Sequence, residues 1–362
     1  MRSYAIPLLI LITACLPALA EDPHPQVLSG FKGRPIKLCF SPDGTLLATS
    51  FDVELVIVWD IKTRKQLLNF SNSERKPQAI SISADGKAVL TVSLENEVLQ
   101  IDPVTGKFLA GRQVNAIKAW DVRSGEMKVV VNLPHEEPLG FSPDAKMFAS
   151  RKPLARPNPF DPKDIPPPTD TTVHMWDVAT GKEVAALKGH KTYVDRIVFS
   201  PDGKLVGTVS ADGTKIWDCN NWKERTSWTG IKGLVAFSPD NRLLAVASAV
   251  EPVRNPDASA LKLFDVDTGK EVRSMKRQQW VALYWHTCVA FSPDGKTLAT
   301  GLGFSPHVQL WDVATGNLKS GLKNVEGKKS EIRVVAFSPD GKKLVAAGAD
   351  GSLLIWEVPL EK

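Results

Sequence analysis

The sequence predicts an all-β fold of seven four-stranded units stacked on one another, and three observations predict it. One short phrase recurs seven times: FSPDG at Phe40, ISADG at Ile82, FSPDA at Phe141, FSPDG at Phe199, FSPDN at Phe237, and FSPDG at Phe291 and Phe337. Most copies are answered 15 to 35 residues later by Trp-Asp or an equivalent pair, at Trp59-Asp60, Trp176-Asp177, Trp217-Asp218, Phe264-Asp265, Trp311-Asp312 and Trp356-Glu357. The runs between are short and rich in apolar and β-branched residues, as strands are. A unit of this period cannot bury its own apolar face, so the copies must pack against each other.

The phrase reads as a hairpin turn. Pro presets φ near −65°, Asp bonds nearby backbone and Gly supplies positive φ. It joins a first strand such as Arg196-Ile197-Val198-Phe199 to a second such as Lys204 to Val209. A third strand ends in the Trp-Asp, as in Thr214-Lys215-Ile216-Trp217-Asp218. An Ala-Thr-Gly-Lys turn (Ala179 to Lys182) then leads into a fourth strand, Glu183 to Leu187.

Four antiparallel strands per repeat, the third ending in Trp-Asp, resemble the WD40 family of β-propellers, and the resemblance covers essentially all of the chain after residue 25. The recurrence makes the motif specific, since one FSPDG alone would mean little. The family's Asp-His-Ser/Thr-Trp tetrad maps here onto one blade only, as His190, Ser210, Asp212 and Trp217. Elsewhere the Gly-His is replaced, as at Gly30-Phe31 and Gly230-Ile231.

The ends test this reading. Only Val358 to Lys362 follow Trp356-Glu357, too few for a good fourth strand, while Gln26-Val27-Leu28-Ser29-Gly30 stands before the first phrase with no blade of its own. The N-terminal strand is therefore expected to complete the last blade and close the ring, because an open ring would leave sheet edges exposed.

Successive phrases are 42, 59, 58, 38, 54 and 46 residues apart, so three intervals carry extra material. The second is irregular over residues 103–131. It holds Ile101-Asp102-Pro103-Val104-Thr105-Gly106 and, 14 residues beyond that Gly, Trp120-Asp121-Val122-Arg123-Ser124-Gly125. Two readings remain open, an extra hairpin between blades two and three, which is preferred, or an eighth repeat without its front half. The third interval contains Arg151 to Asp170, whose seven prolines favour an extended solvated loop. The fifth contains Ala249 to Ser259. The resemblance implies that both insertions project from one face.

MRSYAIPLLILITACLPALAED reads as a secretory signal over residues 1–20, with Ala18-Leu19-Ala20 as the cleavage site and a single domain over 21–362. Ile12-Thr13-Ala14-Cys15 alternatively resembles a bacterial lipobox, which would make Cys15 a lipid anchor. An exported chain of this family is expected to be bacterial, and periplasmic or secreted. No other segment is apolar enough to span a bilayer. The formal charge of +5 includes no Lys/Arg run long enough for a nucleic-acid stripe. Cys39, Cys219 and Cys288 remain after cleavage, an odd number that argues against a disulfide framework.

Catalytic and cofactor signatures are missing: no CxxCH, HExxH, GxSxG or Gly-rich phosphate loop, and six His without metal-ligand spacing. The Asp residues of the repeated phrase are explained by turn formation and not by a calcium ring. No catalytic residue, metal or cofactor is expected. Six of ten tryptophans close third strands and are core by position. The segment Arg277-Gln278-Gln279-Trp280-Val281-Ala282-Leu283-Tyr284-Trp285-His286 is different, since it joins two blades on the loop face. Its rings either anchor a partner or cover the channel mouth, and Trp222 and Trp228 carry a weaker form of the same ambiguity.

The expectation is a monomeric, non-catalytic scaffold holding a protein or peptide on the loop face through Arg151, Arg156, Phe160, Arg254, Arg277, Trp280, Tyr284 and Trp285. The alternative is an enzyme or small-molecule binder using the central channel, which needs convergent polar groups on the innermost strands.

Overall fold

Seven four-stranded antiparallel sheets stand as blades around a central channel in the computed structural model. Residues 25–28, 31–71, 77, 79–101, 108–134, 136–153, 170–247, 261–275, 286–303, 307–323 and 331–358 are described. Blade 1 is built from the inside outward of Pro35–Phe40, Leu46–Phe51, Leu55–Asp60 and Gln66–Ser71. Blades 2 to 6 repeat that order from the innermost strands Ala79–Ile82, Glu137–Phe141, Val194–Phe199, Leu234–Phe237 and His286–Phe291. Ile332–Phe337 is the innermost strand of blade 7. Each innermost strand lies against those of both neighbouring blades, so the circle is unbroken.

The N-terminal strand closes that circle as expected. Gln26–Leu28 forms the outer edge of blade 7 and pairs antiparallel with Leu353–Glu357, with Gln26 opposite Ile355 and Leu28 opposite Leu353. Leu28 is buried in the seam between blades 7 and 1, among Leu47, Phe51, Ile57, Trp59, Val345, Ala347, Leu353 and Ile355. The remaining apolar surface is buried between adjacent blades in the same manner, for example Ile216, Trp228, Phe237 and Leu244 between blades 4 and 5.

The repeated turn is held by a group that the sequence reading passed over, its serine. In blade 4 the Ser200 hydroxyl donates to Asp202 Oδ1 at 2.8 Å and accepts the Leu205 N–H at 2.9 Å, while Lys204 N donates to Asp202 at 3.0 Å. The Ser-to-Asp bond recurs at Ser41, Ser83, Ser142, Ser238, Ser292 and Ser338. Those serine hydroxyls first, and backbone N–H groups after them, hold the carboxyls of Asp43, Asp85, Asp240 and Asp340 below the usual range. The turn aspartates are thus structural. Among the described residues no group of His, Cys, Asp and Glu is placed to hold a metal ion.

Blade 2 corrects the reading of residues 103–131. Among the described residues there is no separate hairpin between blades and no eighth repeat. Its second and third strands are continuous and long, Ala88–Ile101 and Phe108–Asp121, each of 14 residues where the corresponding strands elsewhere have 5 or 6. Their pairing runs from Ala88 opposite Asp121 to Ile101 opposite Phe108. The fourth strand, Met127–Pro134, reaches only to Val114 and the first only to Val92. Beyond those points the hairpin continues past the sheet as a two-stranded arm.

Candidate functional site

Antiparallel blades sort their connections onto two faces. First-to-second and third-to-fourth turns are short and cross-bonded, and they make one face. Second-to-third and fourth-to-first connections make the other, and all the long ones fall there: between Arg151 and Val173, Ala247 and Leu261, Ser274 and His286, and Leu322 and Ile332, together with the blade 2 arm. Both insertions therefore spring from the same face. Arg156, Phe160, Arg254, Arg277, Trp280, Tyr284 and Trp285 lie outside the described residues, as do the signal segment and Cys15. Among the described residues no helix is long and apolar enough to cross a membrane.

Arg151 can be placed, and the structure corrects its role. As the last residue of Met147–Arg151 it lies with Cζ 4.7 Å above the Tyr193 ring, and its Nη2 is 2.6 Å from Glu137 Oε2. The guanidinium is 14% exposed, and its Nε and Nη1 have no hydrogen-bond partner. It therefore clamps blade 3 to blade 4 and is not an open anchor. Trp228 and Trp222 are also structural. Trp228 is 8% exposed and donates from Nε1 to the Gly269 carbonyl of blade 5 at 2.7 Å. Trp222 packs against the cluster around Trp217.

The tetrad forms in blade 4 with one member exchanged. His190 Nδ1 is 2.7 Å from Asp212 Oδ1, its Nε2 is 2.8 Å from Thr208 Oγ1, and Trp217 Nε1 donates to the same Oγ1 at 2.8 Å. The hydroxyl is Thr208, not Ser210. Residues two apart in a strand share a face, so both were eligible by pattern. Trp217 stands opposite Val206, and its indole reaches the hydroxyl one alternation away, not two. The Ser210 hydroxyl is instead engaged with the Thr192 hydroxyl and donates to the Thr192 carbonyl. Against a partial burial that would raise it, hydrogen bonds from Ser210, the Lys191 N–H and His190 hold Asp212 at about 2.

Parts of this relay persist elsewhere. Trp120 donates to Thr91 and Trp311 to Thr300, both at 3.0 Å, and Trp176 donates to Ser150 at 2.7 Å. In blade 3 Ser150 in turn donates to the buried carboxylate of Glu136, which stands where blade 4 has a histidine relay. In blade 1 Phe31 fills the space instead, edge-on to Trp59 with the ring centroids 5.9 Å apart, and the Trp59 indole N–H is left without a partner among the described residues.

The described cysteines, Cys39, Cys219 and Cys288, are free and pack as apolar groups. Cys288 joins the blade 6–7 cluster, and burial pushes its thiol up to about 12. Beside it, His286 is 5% exposed with Nδ1 unpartnered, in the register position held by Val194 in blade 4 and Ile332 in blade 7. Burial lowers its pKa to about 4. Between that value and about 6.5 the unfolded chain binds the proton and the folded one does not. The stability that neutral His286 allows is therefore full above about pH 6.5, falls as pH drops, and is lost below about pH 4, a change on the order of 3 kcal/mol. Denaturant melts at pH 7 and pH 4.5 should show that His286→Val flattens this dependence relative to wild type; parallel curves would place His286 in contact with water.

Three segments of the chain, 181–218, 270–312 and 320–357, match the family described as WD domain, G-beta repeat. The chain is 22% identical over 348 residues to rat (Rattus norvegicus) apoptotic protease-activating factor 1, covering 89% of this chain and 23% of that protein. It is 30% identical over 161 residues to the small ribosomal subunit protein RACK1y of Oryza sativa subsp. japonica, covering 44% and 46%. It is 26% identical over 231 residues to periodic tryptophan protein 2 of Arabidopsis thaliana, covering 56% and 23%. These matches span less than half the length of each relative, and all three relatives are eukaryotic.

Proposed function

From the premise that this chain is a seven-bladed β-propeller carrying WD40 repeats, we propose that it is a non-catalytic scaffold which holds a protein or peptide partner outside the cytoplasm. One observation carries the reading: every long connection leaves from one face, and the opposite face is a set of short, hydrogen-bonded turns. Loops set on a rigid frame are where binding residues concentrate. In this reading the partner is held by Trp280, Tyr284 and Trp285, with Arg156, Phe160, Arg254 and Arg277, all from connections whose described ends lie on that face. The ribosomal subunit protein among the relatives is, by its name, a component of an assembly, which agrees with a binding role. Export rests on residues 1–20, and a bacterial source would fit it.

The test is capture. Wild type and a Trp280→Ala, Trp285→Ala double variant serve as baits on extract of the source organism, with bound proteins identified by mass spectrometry. A partner held by wild type and lost from the variant is the expected result, whereas equal capture by both would remove these rings from the interface. Intact mass of the protein recovered from the extracytoplasmic fraction separates the two export routes. A chain starting at Glu21 indicates simple secretion, a diacylglyceryl Cys15 indicates anchoring, and retention of Met1 contradicts export.

A further inference from the structure

The seven innermost strands carry few residues open to solvent, and those few are charged. They are Lys37, Asp195, Arg196 and Arg333, while every other residue of these strands is buried or half-buried. These four groups lie at the loop-face ends of the innermost strands, around the mouth of the central channel. Arg333 is neutralised by Glu331, with Nε 3.1 Å from Oε1. Lys37 and Arg196 have no ion-pair or hydrogen-bond partner among the described residues.

Lys37 and Arg196 come from blades 1 and 4, nearly opposite each other in a ring of seven, and they occupy the same register position. Each follows the bulge behind the first residue of its strand, Lys37 opposite Ser50 and Arg196 opposite Val209. Four of the other blades place Ala79, Leu234, Cys288 and Val334 at that level, and blade 3 places Glu137 there, opposite Arg151 and ion-paired with it. Two cations therefore stand on opposite sides of the ring, at a level where the groups of the other blades are apolar or already ion-paired. Partial dehydration first, and the Arg196 guanidinium second, lower the pKa of Lys37.

Two unpaired cations held together in a partly dry site are stabilised by an anion between them, and a planar guanidinium facing an ammonium suits the oxygens of a phosphate or a carboxylate. We propose that the loop-face mouth of the channel is an oxyanion site in which Lys37 and Arg196 clasp a phosphate or carboxylate group from opposite sides. The site is independent of what the long connections hold. The group has two sources, a free anion or an acidic side chain of a bound peptide, and the chemistry is the same for both.

The test reads the reactivity of Lys37 itself. The purified protein is treated with an amine-acylating ester, and modification of each lysine is followed by peptide mass spectrometry. Inorganic phosphate, or a capped glutamate peptide, is compared with chloride at equal ionic strength. An anion in the site covers the Lys37 amine and favours its protonated form, so acylation of Lys37 slows about tenfold at ten times the dissociation constant. Lys87, with its side chain 77% exposed on the turn face, serves as the internal control and is unaffected. Protection by phosphate identifies a free-anion site, and protection by the peptide alone identifies an acidic side chain. Arg196→Gln abolishes the protection in either case, and calorimetry of phosphate or peptide binding to Lys37→Met gives the same answer without the acylation chemistry. Equal slowing of Lys37 and Lys87, protection that survives Arg196→Gln, or no protection by either probe overturns the proposal.

Discussion

Deletion of residues 21–30 should lower the unfolding free energy by about 5 kcal/mol, whereas deletion of residues 154–169 from the Pro-rich insertion should change it little. The first deletion removes Gln26–Leu28, the outer strand of blade 7. Burying Leu28 alone contributes about 2 kcal/mol, and ladder hydrogen bonds to the strand at Leu353 to Ile355 about 1 kcal/mol each. The loss also uncovers Leu353 and Ile355 of the seam between blades 7 and 1, both buried in the intact ring. The exposed edge of blade 7 would then offer unpaired N–H and C=O groups to other chains. The second deletion touches a connection between Arg151 and Val173 that leaves the ladder of blade 3 intact. Loop shortening changes closure entropy only slowly with length. Denaturant unfolding of both variants checks this, and equal midpoints would mean that the ring does not depend on its N-terminal strand.

Why the closing strand was legible while blade 2 was not is a matter of what local pattern encodes. Gln26 to Gly30 stood out by elimination, because the last repeat lacked a fourth strand and this segment lacked a repeat. In blade 2 the run Ile101 to Gly106 has the turn composition that ends a third strand elsewhere, so by pattern alone it reads as an extra hairpin. The structure instead pairs Ala88–Ile101 with Phe108–Asp121 as one long hairpin. Register distinguishes the two arrangements, and register is a property of the pair, not of either strand. Thr208 and Ser210 failed for a related reason. Both lie on one face of Leu205–Ser210, and the reach of His190 and Trp217 selects between them. Lys37 and Arg196 were invisible because a residue lining the channel and one turned to the outside follow the same polar pattern. The loop-face candidates were legible as composition alone, since nothing in a sequence fixes where rings on long connections come to rest.

Replacing Trp217 by Ala is the second large effect expected. Trp217 is 3% exposed between blades 3 and 4, packed with Ala149, Met175, Leu187, Val194 and Val206. Truncating a buried indole to a methyl group removes its transfer free energy and leaves a cavity, together about 3 to 5 kcal/mol. A polar part adds to the apolar one, because the indole N–H donates to Thr208, whose hydroxyl also meets His190. Trp217→Phe separates the two. It keeps most of the ring volume but leaves Thr208 short of a donor, so its expected cost is about 1 kcal/mol plus a smaller packing loss. Thr208→Val acts on the same relay from the other side and leaves both the Trp217 N–H and His190 Nε2 without the hydroxyl between them. Ser210→Ala should cost less than Thr208→Val, because Ser210 meets neither the Trp217 N–H nor His190 Nε2 and bonds Thr192 and Asp212 instead. Reversal of that order in denaturant melts would restore Ser210 as the tetrad member, and a Trp217→Ala loss below about 1 kcal/mol would mean that the indole is not packed between blades.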